Sequence, residues 1–308
     1  MTAYPVVHHP DYVAPLPAGH RFPMSKYEAV VAALSADDTA GLFVWHDAPA
    51  LDRDTVARAH EAAYVDQVFR LAVPADMERR IGFPVTQRVL TRARHASGGT
   101  LAAARLALAL GVASNTAGGS HHAHPGFGAG FCVFNDVGIA ARTLLDDGAV
   151  ARVLVVDLDV HQGDGTAAMF AAEPRVFTFS MHCEANFPVR KAVSDLDIGL
   201  PPGTGDQAYL DRLAEALPTL LSRHRPDLVF YNAGVDVHAA DRLGRLALSD
   251  AGIAARDRLV AETVLAAEVP LCTVMGGGYS DDVGAVAARH AATIRAIADC
   301  WRTRQAGE

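Results

Sequence analysis

The chain has 308 residues, half of them hydrophobic and a fifth charged, with a formal net charge of −8. This is a globular profile with enough chain to bury a large core unaided, and it excludes extensive disorder. The acidic balance argues against direct nucleic-acid binding, which needs a basic surface.

The first 23 residues are rich in Pro and His and read as an irregular arm. Ser25 and Glu28 have the S-x-x-E spacing of a capping box, which opens a helix toward Leu34. Residues 42–45 form a short apolar run, a candidate strand, and 54–71 read as one helix with Val56, Ala59, Ala63, Val65 and Phe69 on one face. Residues 86–94 and 100–110 read as two further helices separated by Gly98 and Gly99. Beyond residue 111 glycine-rich loops alternate with short apolar runs. Those at 153–156, 176–179, 228–231 and 271–275 read as fully buried strands, with helices at about 134–146, 207–223, 250–267 and 281–302 between and after them. Such alternation predicts an α/β fold, a mainly parallel sheet flanked by helices, and with no repeat or linker in view one domain over 1–308.

Cys132, Cys183, Cys272 and Cys300 form no C-x-x-C pair and suggest neither a disulfide framework nor a zinc knuckle. No apolar run approaches the ~20 residues that span a bilayer. The N-terminus lacks a charged stretch followed by an apolar one, so the expectation is a cytoplasmic protein without a secretory signal.

Four polar clusters follow strand-like runs, where open parallel sheets bind their ligands. In VLVVDLDVHQGDG (153–165) an apolar strand runs into Asp157, Asp159 and His161 at i, i+2 and i+4. Strand alternation turns all three one way, which suits a divalent metal better than a solvated turn. In YNAGVD (231–236) a second strand ends in Gly234 and Asp236. Alone this aspartate reads as a turn residue; beside the first motif it could complete an Asp159, His161, Asp236 set that leaves a coordination position open. In GGSHHAH (118–124) three histidines on a glycine-flanked loop could be metal ligands, acid–base groups or solvated side chains. His124, before Pro125, reads as incidental. Asp157 and Asp164 are spare acids that could orient His121 and His122. In MGGGYS (275–280) three glycines allow close backbone approach and could present the Tyr279 hydroxyl to a pocket, or simply form a turn.

These elements, with GAGFC (128–132), FSMH (179–182), PGTGD (202–206) and DRLGR (241–245), resemble in content and order the zinc-dependent histone deacetylase family, within the arginase–deacetylase fold. The resemblance covers roughly 95–285 and is nearest the class IV-like branch and its bacterial relatives, with Gln162 where class I members usually carry a histidine. It implies one zinc ion per chain on Asp159, His161 and Asp236. It implies His122 with Asp164 as general base and then acid, and His121 with Asp157 as a mainly electrostatic pair. Tyr279 would polarise the acyl carbonyl, Gly130 and Phe131 would form a tunnel wall, and Phe187 would face them. A potassium ion would sit on Asp157, Ser180 and backbone carbonyls, and Arg21, in an R-x-x-M pattern, would lie deep in an internal cavity. The implied reaction is hydrolysis of an acyl-lysine amide, acetyl or longer. An acylated polyamine is the alternative substrate, and a non-catalytic acyl-lysine binder is the alternative class. Neither the oligomeric state nor the physiological target is specified.

Overall fold

The computed structural model describes residues 3–36, 38 and 41–307. Eight strands form one sheet: β1 (Tyr4–His8), β2 (Phe43–Asp47), β3 (Val112–Asn115), β4 (Val153–Asp157), β5 (Val176–Cys183), β6 (Leu196–Leu200), β7 (Leu228–Asn232) and β8 (Leu271–Val274). Their order is β2-β1-β3-β8-β7-β4-β5-β6, and every neighbouring pair is parallel. All the strands therefore end at one edge. The central strands β3, β8, β7 and β4 are buried at every position, as expected of a parallel sheet covered on both faces.

Among the described residues ten α-helices accompany the sheet: α1 (Lys26–Ala36), α2 (Arg53–Val56), α3 (Ala62–Phe69), α4 (Ala75–Ile81), α5 (Gln87–Leu110), α6 (Asp136–Asp146), α7 (Asp164–Phe170), α8 (Asp206–His224), α9 (Asp250–Ala266) and α10 (Val283–Gly307). Chain direction sorts the crossover helices. The crossings through α5, α6 and α7 step one way along the sheet, and those through α1, α8 and α9 step the other way. Right-handed crossovers then place the two sets on opposite faces. Contacts agree: α5 packs on α6 and α6 on α7, whereas α8, α9, α10 and α1 pack in succession.

Three sequence expectations are corrected. The N-terminal segment is not an irregular arm: Tyr4–His8 is a strand between β2 and β3, buried at its first four residues, and only 1–2 lie outside the described residues. The 54–71 segment is two short helices rather than one. Residues 87–110 form one helix, uninterrupted by its glycines. A Cβ at Gly98 would collide with the Pro49 carbonyl, and one at Gly99 with the Tyr12 hydroxyl. The glycines cost the helix about 1 kcal/mol each in propensity, and they let the N-terminal segments lie directly on it. Thr86 caps its first turn through Val89 N, and Gly111, at φ 89°, ends it.

The strands 153–157, 176–183, 228–232 and 271–274 and the four later helices lie where periodicity puts them; β3, β6, α4 and α7 have no counterpart in the sequence reading. The four cysteines are free thiols. Among the described residues no helix is long and apolar enough to cross a membrane.

Candidate active site

The site sits beyond the strand ends. Asp157 closes β4, in register with Ser180 on one side and Asn232 on the other. Regular strand then stops, so strand alternation is not what aligns the next residues. Carboxylate turns do so instead. Asp159 N donates to Asp157 Oδ1 (3.2 Å), His161 N donates to Asp159 Oδ1 (2.9 Å), and Val160 N donates to Asp236 Oδ1 (3.0 Å). Asp157 and Asp159 each fold the following residues around their own side chain, and Asp236 pins Val160 from a separate loop.

Asp159, His161 and Asp236 converge. His161 Nδ1 lies 3.0 Å from Asp159 Oδ1 and 3.1 Å from Asp236 Oδ2, and all three residues are buried. One ligand atom from each lies within 4.8 Å of the others. Gly277 N donates to Asp159 Oδ2 (2.7 Å), and a Cβ at Gly277 would collide with the Asp236 carboxylate, so this approach requires glycine. Burial, and then the neighbouring Asp159, push the Asp236 carboxyl up. Among the described residues neither carboxylate is ion-paired with Lys or Arg; their close cationic partners are histidines. Two buried carboxylates and an imidazole converging with no Lys or Arg partner among the described residues are a donor set that fits a divalent cation. These oxygens and one nitrogen suit zinc and, on the same grounds, other first-row metals.

His121 and His122 sit on the loop after β3, and both are buried. His121 Nδ1 is 2.7 Å from Asp157 Oδ2, and His122 Nδ1 is 2.5 Å from Asp164 Oδ1. Their environments separate them. Burial lowers both imidazoles, but Asp157 and Asp159 outweigh it at His121 and raise it to about 9. At His122 burial dominates, the neighbouring His121 adds to it, and the group falls to about 4 despite Asp164. His124 is not incidental: its Nε2 lies 3.2 Å from Asp164 Oδ2, and its ring stacks on Phe127 at 4.3 Å. Against burial, the hydrogen bonds from His122 and His124 hold the Asp164 carboxyl well below the usual range.

A pocket of about 510 Å³ opens over this cluster, and its lining includes His122, His161, Gly130, Phe131, Phe187 and Tyr279. The Phe131 ring lies 5.9 Å from that of Tyr279, and Phe187 meets His122 edge-on at 4.8 Å. Gly130 N and Phe131 N donate to Arg80 O and Ile81 O at the end of α4, fixing this wall. Tyr279 is 8% exposed, and burial, with Asp159 and Asp236 nearby, raises its phenol well above the ordinary value. Ser180 is buried opposite Asp157, its hydroxyl 3.0 Å from His182 Nδ1.

Arg21 is a correction. It is exposed at the pocket mouth, with its guanidinium 5.2 Å from the Phe131 ring centroid, rather than deep in a cavity. The buried cation behind Tyr279 is Lys26, which donates to Gly276 O (3.1 Å) with its Nζ 5.5 Å from the Tyr279 ring centroid.

Several supporting roles escaped the sequence reading. Asp136 accepts Gly119 N, Ser120 N and the Thr100 hydroxyl, and so holds the histidine loop. Arg256 is fully buried and donates to Gly234 O (2.6 Å) and Leu158 O (3.3 Å), tying together the two loops that carry Asp159 and Asp236. Gln162 clamps Ala192 and Asp197, ordering the segment after Phe187. Only Gln162 stood inside a recognisable motif.

Sequence and structure comparisons agree with this architecture. The histone deacetylase domain matches residues 20–295, and the chain belongs to that family. An uncharacterized protein of Picosynechococcus sp. is 49% identical over 298 residues, covering 97% of this chain and 99% of its own length. Histone deacetylase 2 of Arabidopsis thaliana is 36% identical over 200 residues, 64% of this chain and 52% of the plant protein, so the match spans about half of that relative. The crystal structure of an acetylpolyamine aminohydrolase from Burkholderia pseudomallei superposes with a TM-score of 0.79 at 22% identity, covering 96% of this chain and 98% of that one. The fold is that of the deacetylase and arginase proteins.

Proposed function

We propose that the protein is a metal-dependent deacylase that hydrolyses the amide of an acyl-lysine, releasing the free amine and a carboxylate. One observation carries this reading: a carboxylate-backed histidine, a buried tyrosine and His161 of the converging Asp/His/Asp set line one pocket. Asp159, His161 and Asp236 would hold the metal, zinc by family, whose chemistry when bound is to polarise the acyl carbonyl and acidify a water.

The protein groups divide the remaining work. Asp164 holds the His122 proton on Nδ1, which leaves Nε2 with a lone pair. An imidazole brought down to about 4 is unprotonated at neutral pH, so His122 receives the water's proton as the C–O bond forms. It then delivers that proton to the amine nitrogen as the C–N bond breaks. His121 remains protonated against Asp157 and contributes positive charge without moving a proton. The Tyr279 hydroxyl stays protonated at any working pH and donates to the carbonyl oxygen as it gains negative charge. Gly130 and Phe131 on one side and Phe187 on the other flank an apolar slot for the lysine stem.

A non-catalytic acyl-lysine binder would need none of this acid–base apparatus. The assay is the purified, metal-analysed protein against lysine peptides carrying acetyl through myristoyl groups, with and without chelator. Chelator-sensitive release is expected, and its dependence on chain length assigns the acyl group. Bound metal without release from any peptide would remove lysine as the substrate and move the reading to acylated polyamines.

A further inference from the structure

The mouth of the pocket has a charge opposite to that of the chain. The protein carries a net −8, yet Arg21, Arg79, Arg80 and Arg245 line this opening, and among the described residues no Asp or Glu does. The four come from three segments: Arg21 from the approach to α1, Arg79 and Arg80 from the last turn of α4, and Arg245 from the loop after β7. All four are exposed. Among the described residues none of them is ion-paired, whereas Arg242, nearby on the same loop as Arg245, pairs with Asp281. Two are positioned by ring faces, Arg21 over Phe131 at 5.2 Å and Arg80 over Phe127 at 4.5 Å. A guanidinium resting on a ring keeps its N–H edge free for a carboxylate.

We infer that this rim is an anion-binding subsite that selects acyl-lysines flanked by acidic residues. The inference rests on the proposed function. The acyl group enters toward the buried Asp/His/Asp set, so the amine half of the substrate must lie at the mouth. There it meets four unpaired positive charges. An acidic peptide gains from them, while a polyamine, cationic along its length, is repelled. Because exposed charges act mainly on encounter and loose binding, the preference falls on KM rather than kcat.

The test uses metal-loaded protein and three peptides with the same acyl-lysine, flanked by Glu, by Ser or by Lys, beside an acylated polyamine. The expected order of kcat/KM is Glu, Ser, Lys, with the polyamine lowest. Each exposed pair is worth about a two- to fivefold effect, so the Glu-to-Lys ratio should be roughly tenfold or more. The ratio should shrink at high salt. Arg79→Ser with Arg80→Ser, and separately Arg245→Ser, should each pull it toward one. Arg223→Ser, in the last turn of α8 at the opposite end of the sheet, should not. Hydrolysis of all three peptides at one kcat/KM, a ratio indifferent to salt, or preference for the polyamine overturns the inference and leaves the deacylase reading standing. No hydrolysis of any substrate overturns both.

Discussion

Acid should loosen this protein in part through His60, a buried imidazole outside the pocket lining. His60 is 3% exposed and joins three pieces of chain. Its Nδ1 faces His124 O (3.0 Å) and Pro125 O (3.2 Å), and its Nε2 accepts from Asn135 N (2.9 Å). It therefore braces both ends of the loop bearing Phe131. A second proton would turn Nε2 into a donor facing another donor. Burial, only partly opposed by the two carbonyls, takes the group from 6.5 down to about 4. The unfolded chain thus binds more protons in this window, so stability is complete above the unfolded value and declines as pH falls through 6.5 toward 4. The full gap is worth about 3 kcal/mol, of which about 2 kcal/mol is lost by pH 5. Urea unfolding of the metal-free protein, run beside His60→Gln at several pH values, isolates the effect. At pH 8 the variant should be less stable by about 1–3 kcal/mol, because one buried hydrogen bond goes unmade. Between pH 8 and 5 that deficit should close by about 2 kcal/mol, since the variant has no such proton to exclude. Parallel curves for the two proteins would refute the reasoning.

Other outcomes follow from single contacts. Tyr279→Phe should lower kcat by about 10²–10³-fold with unchanged metal content by elemental analysis; full activity would remove Tyr279 from its role. Arg256→Met should destabilise by about 3–5 kcal/mol, because it strands the buried Asp257 carboxylate and frees the Gly234 and Leu158 carbonyls; denaturant melts measure it, and metal affinity should fall with it. Gly98→Ala drives a methyl into Pro49, so it should destabilise by about 1–3 kcal/mol as an overpacking change, although alanine is the better helix former. A neutral or stabilising result would mean the Pro49 segment moves away freely.

How much could be read in advance depended on how local the determining physics is. The four buried strands β4, β5, β7 and β8 were legible because two-sided burial writes itself as a continuous apolar run. Tyr4–His8 was not, since its Pro and His neighbours mimic a loop and only pairing with β2 and β3 makes it a strand. Gly98 and Gly99 looked like a break because propensity is local, whereas the contacts that use their missing side chains are remote in sequence. The candidate metal residues were legible by chemistry, since acids and a histidine directly after apolar runs are costly unless used, but the geometry expected for them was wrong. Asp159 and His161 are aimed by carboxylate turns beyond the strand and not by its pleat. Lys26, Asp136 and Arg256 were illegible because each serves a backbone group far away in sequence.

The histidine pair shows what local sequence withholds in principle. His121 and His122 are adjacent, equally buried, and each is backed by one aspartate. Nothing in GGSHHA distinguishes them. The division comes from what stands behind each aspartate. Asp157 has the Asp159 carboxylate close by, and His121 Nε2 lies 3.8 Å from Asp159 Oδ1, so two negative charges hold His121 as imidazolium. Asp164 is shared between His122 and His124, which divides its pull, and the charge on His121 further disfavours a second cation beside it. On the proposed function, one histidine then serves as a fixed charge and the other as a base. Removing His121 should accordingly let His122 protonate more readily. In His121→Asn the acidic limb of the kcat/KM profile should move to higher pH; an unmoved limb would mean that the two rings do not sense each other's charge.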